Sequence, residues 1–185
     1  MRYVSILRGI NVSGQKNIKM TDLKSLYEKL GFGNVVTYIQ SGNVIFDSND
    51  KNTTNIKTTI EKAIEKKYRF TVPVIIRTNK ELKKIIAQCP FNNVDFVENG
   101  TKVLITFSST KPELDKVTKI QKFVVPPEEL IVIRKEIYLY CPNGYGKSKL
   151  SNSFLENKLG IEATTRNIKS VLKLHELSLN TDTIQ

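Results

Sequence analysis

Val35-Val36-Thr37-Tyr38-Ile39-Gln40-Ser41-Gly42-Asn43-Val44-Ile45-Phe46-Asp47 is a run of β-branched and aromatic residues interrupted at Ser41-Gly42. The pattern predicts two strands, 35–40 and 43–47, joined by a tight turn. Upstream, Gly31 and Gly33 end a helix that starts near Thr21 and carries Leu23, Leu26, Tyr27 and Leu30 at helical spacing. Before that helix, Tyr3, Val4, Ile6 and Leu7 make a short apolar strand, and Gly9, Asn11, Ser13 and Gly14 supply turn chemistry. Downstream, Ile56, Ile60, Ala63 and Ile64 mark a second helix and 72–77 a fourth strand. Read in order, residues 1–78 are βαββαβ.

The same order returns after a linking stretch. Asn79 is a candidate cap for a helix bearing Leu82, Ile85 and Ile86, and a loop runs from Pro90 to Gly100. Then come a strand at 103–107, a helix face of Leu114, Val117 and Ile120, and a hairpin of 130–133 with 137–140 about Lys135. A helix with Phe154, Leu155 and Leu159 follows, then a short strand at 161–164 and a helix carrying Val171, Leu172, Leu174 and Leu177. The expected fold is therefore α+β: two ferredoxin-like βαββαβ subdomains, antiparallel sheets with helices on one face. The expected division is 1–78, a linking helix and loop at 79–100, and 101–185 with its C-terminal helix.

A chain of 185 residues that is 39% hydrophobic and 25% charged has enough apolar surface to bury cores of this kind. No apolar run approaches the length that spans a bilayer, so a cytoplasmic protein without membrane contact is expected. Cys89 and Cys141 are too few for a disulfide framework. With His175 as the one histidine, no zinc-type ligand set can be assembled, and the expected metal content is none. The net charge of +11 favours anionic partners, either a phosphorylated small molecule or, as the alternative, nucleic acid. Residues 1–78 hold 13 basic and 6 acidic side chains and so carry most of the surplus.

Two clusters bear chemistry. In a βαββαβ sheet the first strand ends beside the turn of the hairpin, so Arg8, Gly9 and Asn11 are expected next to Gln40, Ser41, Gly42 and Asn43, with Lys19 close by. Glycines there let backbone N–H groups approach an anion that Arg8 would pair with. In the second half, Gly144, Gly146, Lys147, Ser148 and Lys149 form a loop between strand and helix. Thr165, Arg166 and Asn167, after Thr164, are read as opening the last helix at the same sheet edge. The expectation is that both clusters face one another across a cleft between the subdomains. Gly146-Lys147-Ser148 is not a P-loop, because the first required glycine falls at Cys141. Tyr3, Val4 and Leu7 loosely echo an RNA-recognition strand, but Asn43 and Ile45 stand where stacking aromatics are needed. Cys141 beside the basic loop is a candidate low-pKa thiol, although no base is identified for it. No catalytic residue and no cofactor can be assigned, and a structural or interaction protein without catalysis is the third reading; the oligomeric state is not legible.

The blocks Leu7-Arg8-Gly9-Ile10-Asn11-Val12, Lys19-Met20, 38–44, 144–150 and 164–167, in this order, resemble the bacterial domain of unknown function 1697 family over essentially the whole chain. The resemblance implies two ferredoxin-like subdomains in an intracellular bacterial protein and implies no established activity. Ser13 stands where that family commonly has glycine, and Ile168-Lys169-Ser170 replaces a stretch that often contains Trp and Thr.

Overall fold

The computed structural model describes residues 1–12 and 14–179. By internal contacts the chain divides into two units, Met1–Leu82 with the chain from Leu174 onward, and Lys83–Lys173. The linking segment of the sequence reading is thus shared between the units, and the last turns of the C-terminal helix group with the first.

In the first unit the elements are β1 (Arg2–Leu7), α1 (Met20–Lys29), β2 (Gly33–Tyr38), β3 (Asn43–Asp47), α2 (Thr53–Tyr68) and β4 (Val74–Thr78). Its sheet has the order β2-β3-β1-β4 with every neighbouring pair antiparallel, the ferredoxin-like arrangement. Strand alternation sends Tyr3 and Leu7 of β1 and Val44 and Phe46 of β3 to one face. There they meet Leu23 and Tyr27 of α1 and Ile56, Ile60 and Ile64 of α2. Phe46 is the centre of this layer, with ring centroids 5.3 Å from Tyr27, 4.6 Å from Phe32 and 5.9 Å from Tyr3. Ser5 shares the face, and its hydroxyl lies 2.8 Å from the buried Tyr27 hydroxyl, which satisfies both polar groups.

α3 (Asn79–Ala87) starts in the first unit. Thr78, not Asn79, caps it: the Glu81 N–H donates to Thr78 Oγ1 at 3.2 Å and the Glu81 carboxylate accepts from the Thr78 N–H at 2.7 Å, a reciprocal capping box. The Asn79 amide instead donates to Ser178 Oγ at 2.9 Å.

The second unit continues through α4 (Phe96–Asn99), β5 (Val103–Ser108), α5 (Leu114–Ile120), β6 (Glu129–Ile133), β7 (Glu136–Tyr140), α6 (Asn152–Leu159), β8 (Ala163–Asn167) and the start of α7 (Ile168–Leu179). Its sheet order, β6-β7-β5-β8, repeats that of the first. Leu104, Leu130, Ile137 and Leu139 pack against Ile120, Leu155 and Leu159 of the helices. On the opposite face the Tyr138 hydroxyl donates to the Ile85 carbonyl at 2.9 Å. The 164–167 segment departs from expectation. Thr164, Thr165 and Arg166 are strand residues paired with Phe107, Thr106 and Ile105, as the β-branched threonines favour. Only Asn167 acts as a cap, its Oδ1 accepting from the Ser170 N–H at 2.9 Å.

Candidate functional site

The chain leaving β1 is pinned at once. The Leu7 N–H donates to the Gly42 carbonyl at 2.8 Å and the Arg8 N–H to the Pro73 carbonyl at 2.9 Å. The end of β1 and the 40–43 turn are therefore neighbours. Asn11 is the hub of the loop that follows. It adopts a left-handed φ of 56°, which asparagine tolerates better than most residues. Its amide donates to the Ile18 carbonyl at 2.9 Å and the Gln40 carbonyl at 2.8 Å, and its Oδ1 accepts from the Ile18 N–H at 2.8 Å. Lys16 Nζ adds a bond to the Thr71 carbonyl at 2.7 Å. Ile10 and Ile18, both buried, anchor the loop from beneath. The Asn43 amide donates to the Tyr38 carbonyl and to Ser41 Oγ, each at 3.0 Å. Ser41, Gly42 and Asn43 thus hold the turn together from inside, and Gly9, at φ 67°, turns the chain out of β1.

Against this frame opens a cavity of about 570 Å³, bordered among others by Asn11, Asn17, Lys19, Thr21, Gln40 and Tyr68. It lies at the N-terminus of α1, where Lys19 is the N-cap residue and makes no side-chain capping bond. The first N–H groups of the helix therefore lack a side-chain acceptor. The Tyr68 hydroxyl is buried with no hydrogen-bond partner among the described residues. The side chains of Lys19, Thr21 and Gln40 likewise make no hydrogen bond or ion pair among them. Lys67 Nζ approaches from α2, 3.2 Å from the Asp22 carbonyl and 5.1 Å from the Tyr68 ring centroid. Asp22 sits in the same first turn as a partial counter-charge. Arg8 is not among the residues that border the cavity.

The second cluster is built differently. After β7 the chain makes a 3-10 turn at Tyr145–Lys147. The N–H groups of Gly144, Lys147 and Ser148 donate to the carbonyls of Cys141, Gly144 and Tyr145. α6 starts later and is already capped, Ser151 Oγ accepting from the Phe154 N–H at 3.3 Å. The expected glycine cradle opening directly onto a helix N-terminus is not present; Gly144 and Gly146 serve a self-satisfied turn. Lys147 and Lys149 reach a separate cavity of about 550 Å³ with Asn143, Glu128, Val125 and Pro126. Thr165 Oγ1 lies 2.7 Å from Thr106 Oγ1, 3.0 Å from Asn152 Oδ1 and 3.4 Å from the Tyr145 hydroxyl, so it ties the loop to the sheet. Arg166, one residue on, projects to the other face, its guanidinium donating to Thr164 Oγ1 at 3.0 Å and the Thr165 carbonyl at 2.8 Å. Desolvation there lowers its pKa from 12.5 to about 10. It does not close over the 144–149 loop.

The sequence profile described as "Protein of unknown function (DUF1697)" matches residues 1–138. The chain belongs to the DUF1697 family. The match takes in the whole Asn11–Gln40 site of this DUF1697 chain and stops before the 142–149 loop. Among solved structures, the conserved bacterial protein SP0830 from Streptococcus pneumoniae is similar in fold, with a TM-score of 0.75 at 21% identity over 96% of this chain and 98% of that one. No functionally curated protein matches the sequence.

Within the DUF1697 chain, the cysteine reading is reversed by burial. Cys141 is fully buried, and desolvation with the nearby Glu128 charge raises its thiol to about 11, more than the Ser148 hydrogen bond lowers it. The basic loop does not activate it. Cys89 is also buried and its pKa raised, again by desolvation first. Both thiols are free. Ellman's reagent at pH 8 is expected to label under about a tenth of a thiol per native chain within minutes, and both thiols after unfolding. Rapid native labelling of Cys141 would show the loop to be open.

Ser13 lies outside the described residues. Among the described residues no group of three or more His, Cys, Asp or Glu side chains is arranged to hold a metal, and no helix is long and apolar enough to cross a membrane. Thr21, Asn17 and Tyr68 are site residues that the sequence reading missed. Thr21 was visible as the start of α1; Tyr68, at the far end of α2, carried no local signal.

Proposed function

We propose that the first unit binds a small anionic ligand, a phosphorylated compound above all, in the cavity at the start of α1. One observation supports this reading before the others: Lys19, Thr21, Gln40 and Tyr68 border one cavity, and the Lys19 ammonium, the Thr21 hydroxyl, the Gln40 amide and the buried Tyr68 hydroxyl have no hydrogen-bond or ion-pair partner among the described residues. Buried polar groups are ordinarily satisfied, and a volume near 570 Å³ suits a metabolite-sized molecule. Lys19 and the helix N-terminus both favour negative charge, while Tyr68 and Gln40 donate hydrogen bonds that fix its orientation. Binding is the activity proposed.

The test is a thermal-shift titration with inorganic phosphate, pyrophosphate, phenyl phosphate and glucose 6-phosphate. A ligand at about 100 times its Kd should stabilise the native chain by about 2.7 kcal/mol. Lys19→Ala is expected to weaken binding at least tenfold, and Lys19→Ala with Tyr68→Phe to remove the response, with the unliganded melting temperature nearly unchanged. A double variant that responds like the parent, or a panel without any response, refutes the site. A short oligonucleotide forms the second arm: binding that falls steeply with salt identifies a polyanion surface instead.

A further inference from the structure

β6 forms one edge of the second sheet and, among the described residues, is bonded to β7 alone. The two-residue turn Arg134-Lys135 is closed by the pair Ile133 and Glu136. In such a hairpin the closing pair exchanges hydrogen bonds, and alternation carries the same role to Ile131 and Glu129. The N–H and C=O groups of Leu130 and Val132 therefore face away from β7. One of them is covered: Gln121 Nε2 donates to the Leu130 carbonyl at 3.1 Å. The strand reads Glu129-Leu130-Ile131-Val132-Ile133, flanked by Glu128 on one side and by the turn residue Arg134 on the other, with a prolyl residue, Pro127, only upstream of Glu128. It lacks the inward charge, proline or bulge that usually blunts an edge.

We infer that this edge pairs with the same edge of a second copy of the chain, antiparallel about a two-fold axis through Ile131. The sequence is self-complementary in that register. Ile131 falls opposite its own copy, Leu130 opposite Val132, and Glu128 opposite Arg134. Leu130 and Val132 are the residues whose backbone groups are presented, so each partner's N–H meets a carbonyl of the other. Slipping by two residues either way loses the charge match, setting Glu128 against Val132 or against Glu136. Neither Glu128 nor Arg134 has an ion pair among the described residues. Ile131, 37% exposed in the single chain, would be covered by its copy at the close Cα spacing of a non-hydrogen-bonded pair. A two-fold contact of this kind closes on itself and gives a dimer, not a filament. Gln121 acts as a guard on the edge, because its bond to Leu130 must be released before the strands pair.

Sedimentation equilibrium of the whole chain from about 10 μM to about 1 mM reads the dimer, whose small contact predicts weak association. Arg134→Glu and Glu128→Arg should each weaken dimerisation about tenfold, and the two together should restore it. Val132→Pro should abolish it while circular dichroism stays native, because the Val132 N–H does not serve β7. Gln121→Ala should strengthen it. A monomer throughout the range, whether the edge serves a foreign strand or none, overturns the inference. So does a dimer indifferent to Val132→Pro, or charge reversals that fail to compensate one another.

Discussion

Gly42→Ala is expected to lower the melting temperature by about 10 °C, corresponding to about 3 kcal/mol in a chain of this size. Gly42 has a φ of 80°, where an L side chain is strained by 1 kcal/mol or more, roughly. An added Cβ would also stand 2.6 Å from Ile10 Cδ1 and 2.9 Å from Leu7 Cβ. The isoleucine tip can rotate, but Leu7 Cβ is fixed by a backbone whose N–H bonds to the Gly42 carbonyl itself. Overpacking of this order costs about 1–3 kcal/mol. Gly31 is the control. Its φ is 83° with nothing within 4 Å of an added Cβ, so Gly31→Ala should show the strain alone, about 3 °C. Equal shifts for the two variants would mean that the packing of Gly42 under the loop contributes nothing.

Asn11→Ala should have an effect of similar size on stability and a larger one on binding. It removes three hydrogen bonds and leaves the Ile18 N–H, the Ile18 carbonyl and the Gln40 carbonyl without Asn11. Ile18 is only 2% exposed, so water replaces those bonds poorly; about 2–4 kcal/mol is expected. The bond to Gln40 also ties the loop to the hairpin turn, and both residues border the cavity. The thermal response to a ligand of the proposed site should disappear at concentrations that saturate the parent. Asn11→Asp separates the two roles of the amide. It keeps the acceptor for Ile18 N–H but turns a carboxylate toward two carbonyl oxygens. Such a contact favours the protonated form, so its folded-state pKa is raised. The deficit of Asn11→Asp is then full at neutral pH and shrinks as the pH falls through that value. Chemical denaturation at two pH values measures it; a deficit that grows on acidification would contradict the geometry.

The elements that were legible in the sequence are those whose periodicity is reinforced locally. Strand 43–47 is bounded by a turn on one side and an Asn-capped helix on the other, and its predicted limits match β3. Helical spacing of Ile56, Ile60 and Ile64 likewise survives in α2, because those residues have one face to bury. The 164–167 segment was misread because Thr and Asn serve equally as caps and as edge-strand residues. What decides between them is pairing with Leu104–Phe107, some sixty residues earlier. That single shift moved Arg166 to the opposite face of the sheet from Thr165. The candidate cavity was half visible. Asn11, Lys19 and Gln40 follow from strand order, since topology alone brings the end of β1 to the hairpin. Tyr68 does not, because its approach to α1 depends on how two helices lie on the sheet. The Asn79 side chain suits a cap, yet Thr78-Asn79-Lys80-Glu81 contains the spacing of the capping box that Thr78 and Glu81 form.

The bond between Asn79 and Ser178 spans 99 positions within the first unit. It implies an order of events on the ribosome. Although residues 1–82 of this unit precede the second unit, its remaining segment is synthesised only after the entire second unit has been made. Residues 83–173 can emerge complete while the first unit still awaits its closing segment, the reverse of the usual amino-to-carboxyl sequence. A chain released between Asn167 and Leu174 would carry every strand of both sheets and still leave its first-made unit unfinished, a distinction that degradation machinery sensing exposed apolar surface is equipped to read.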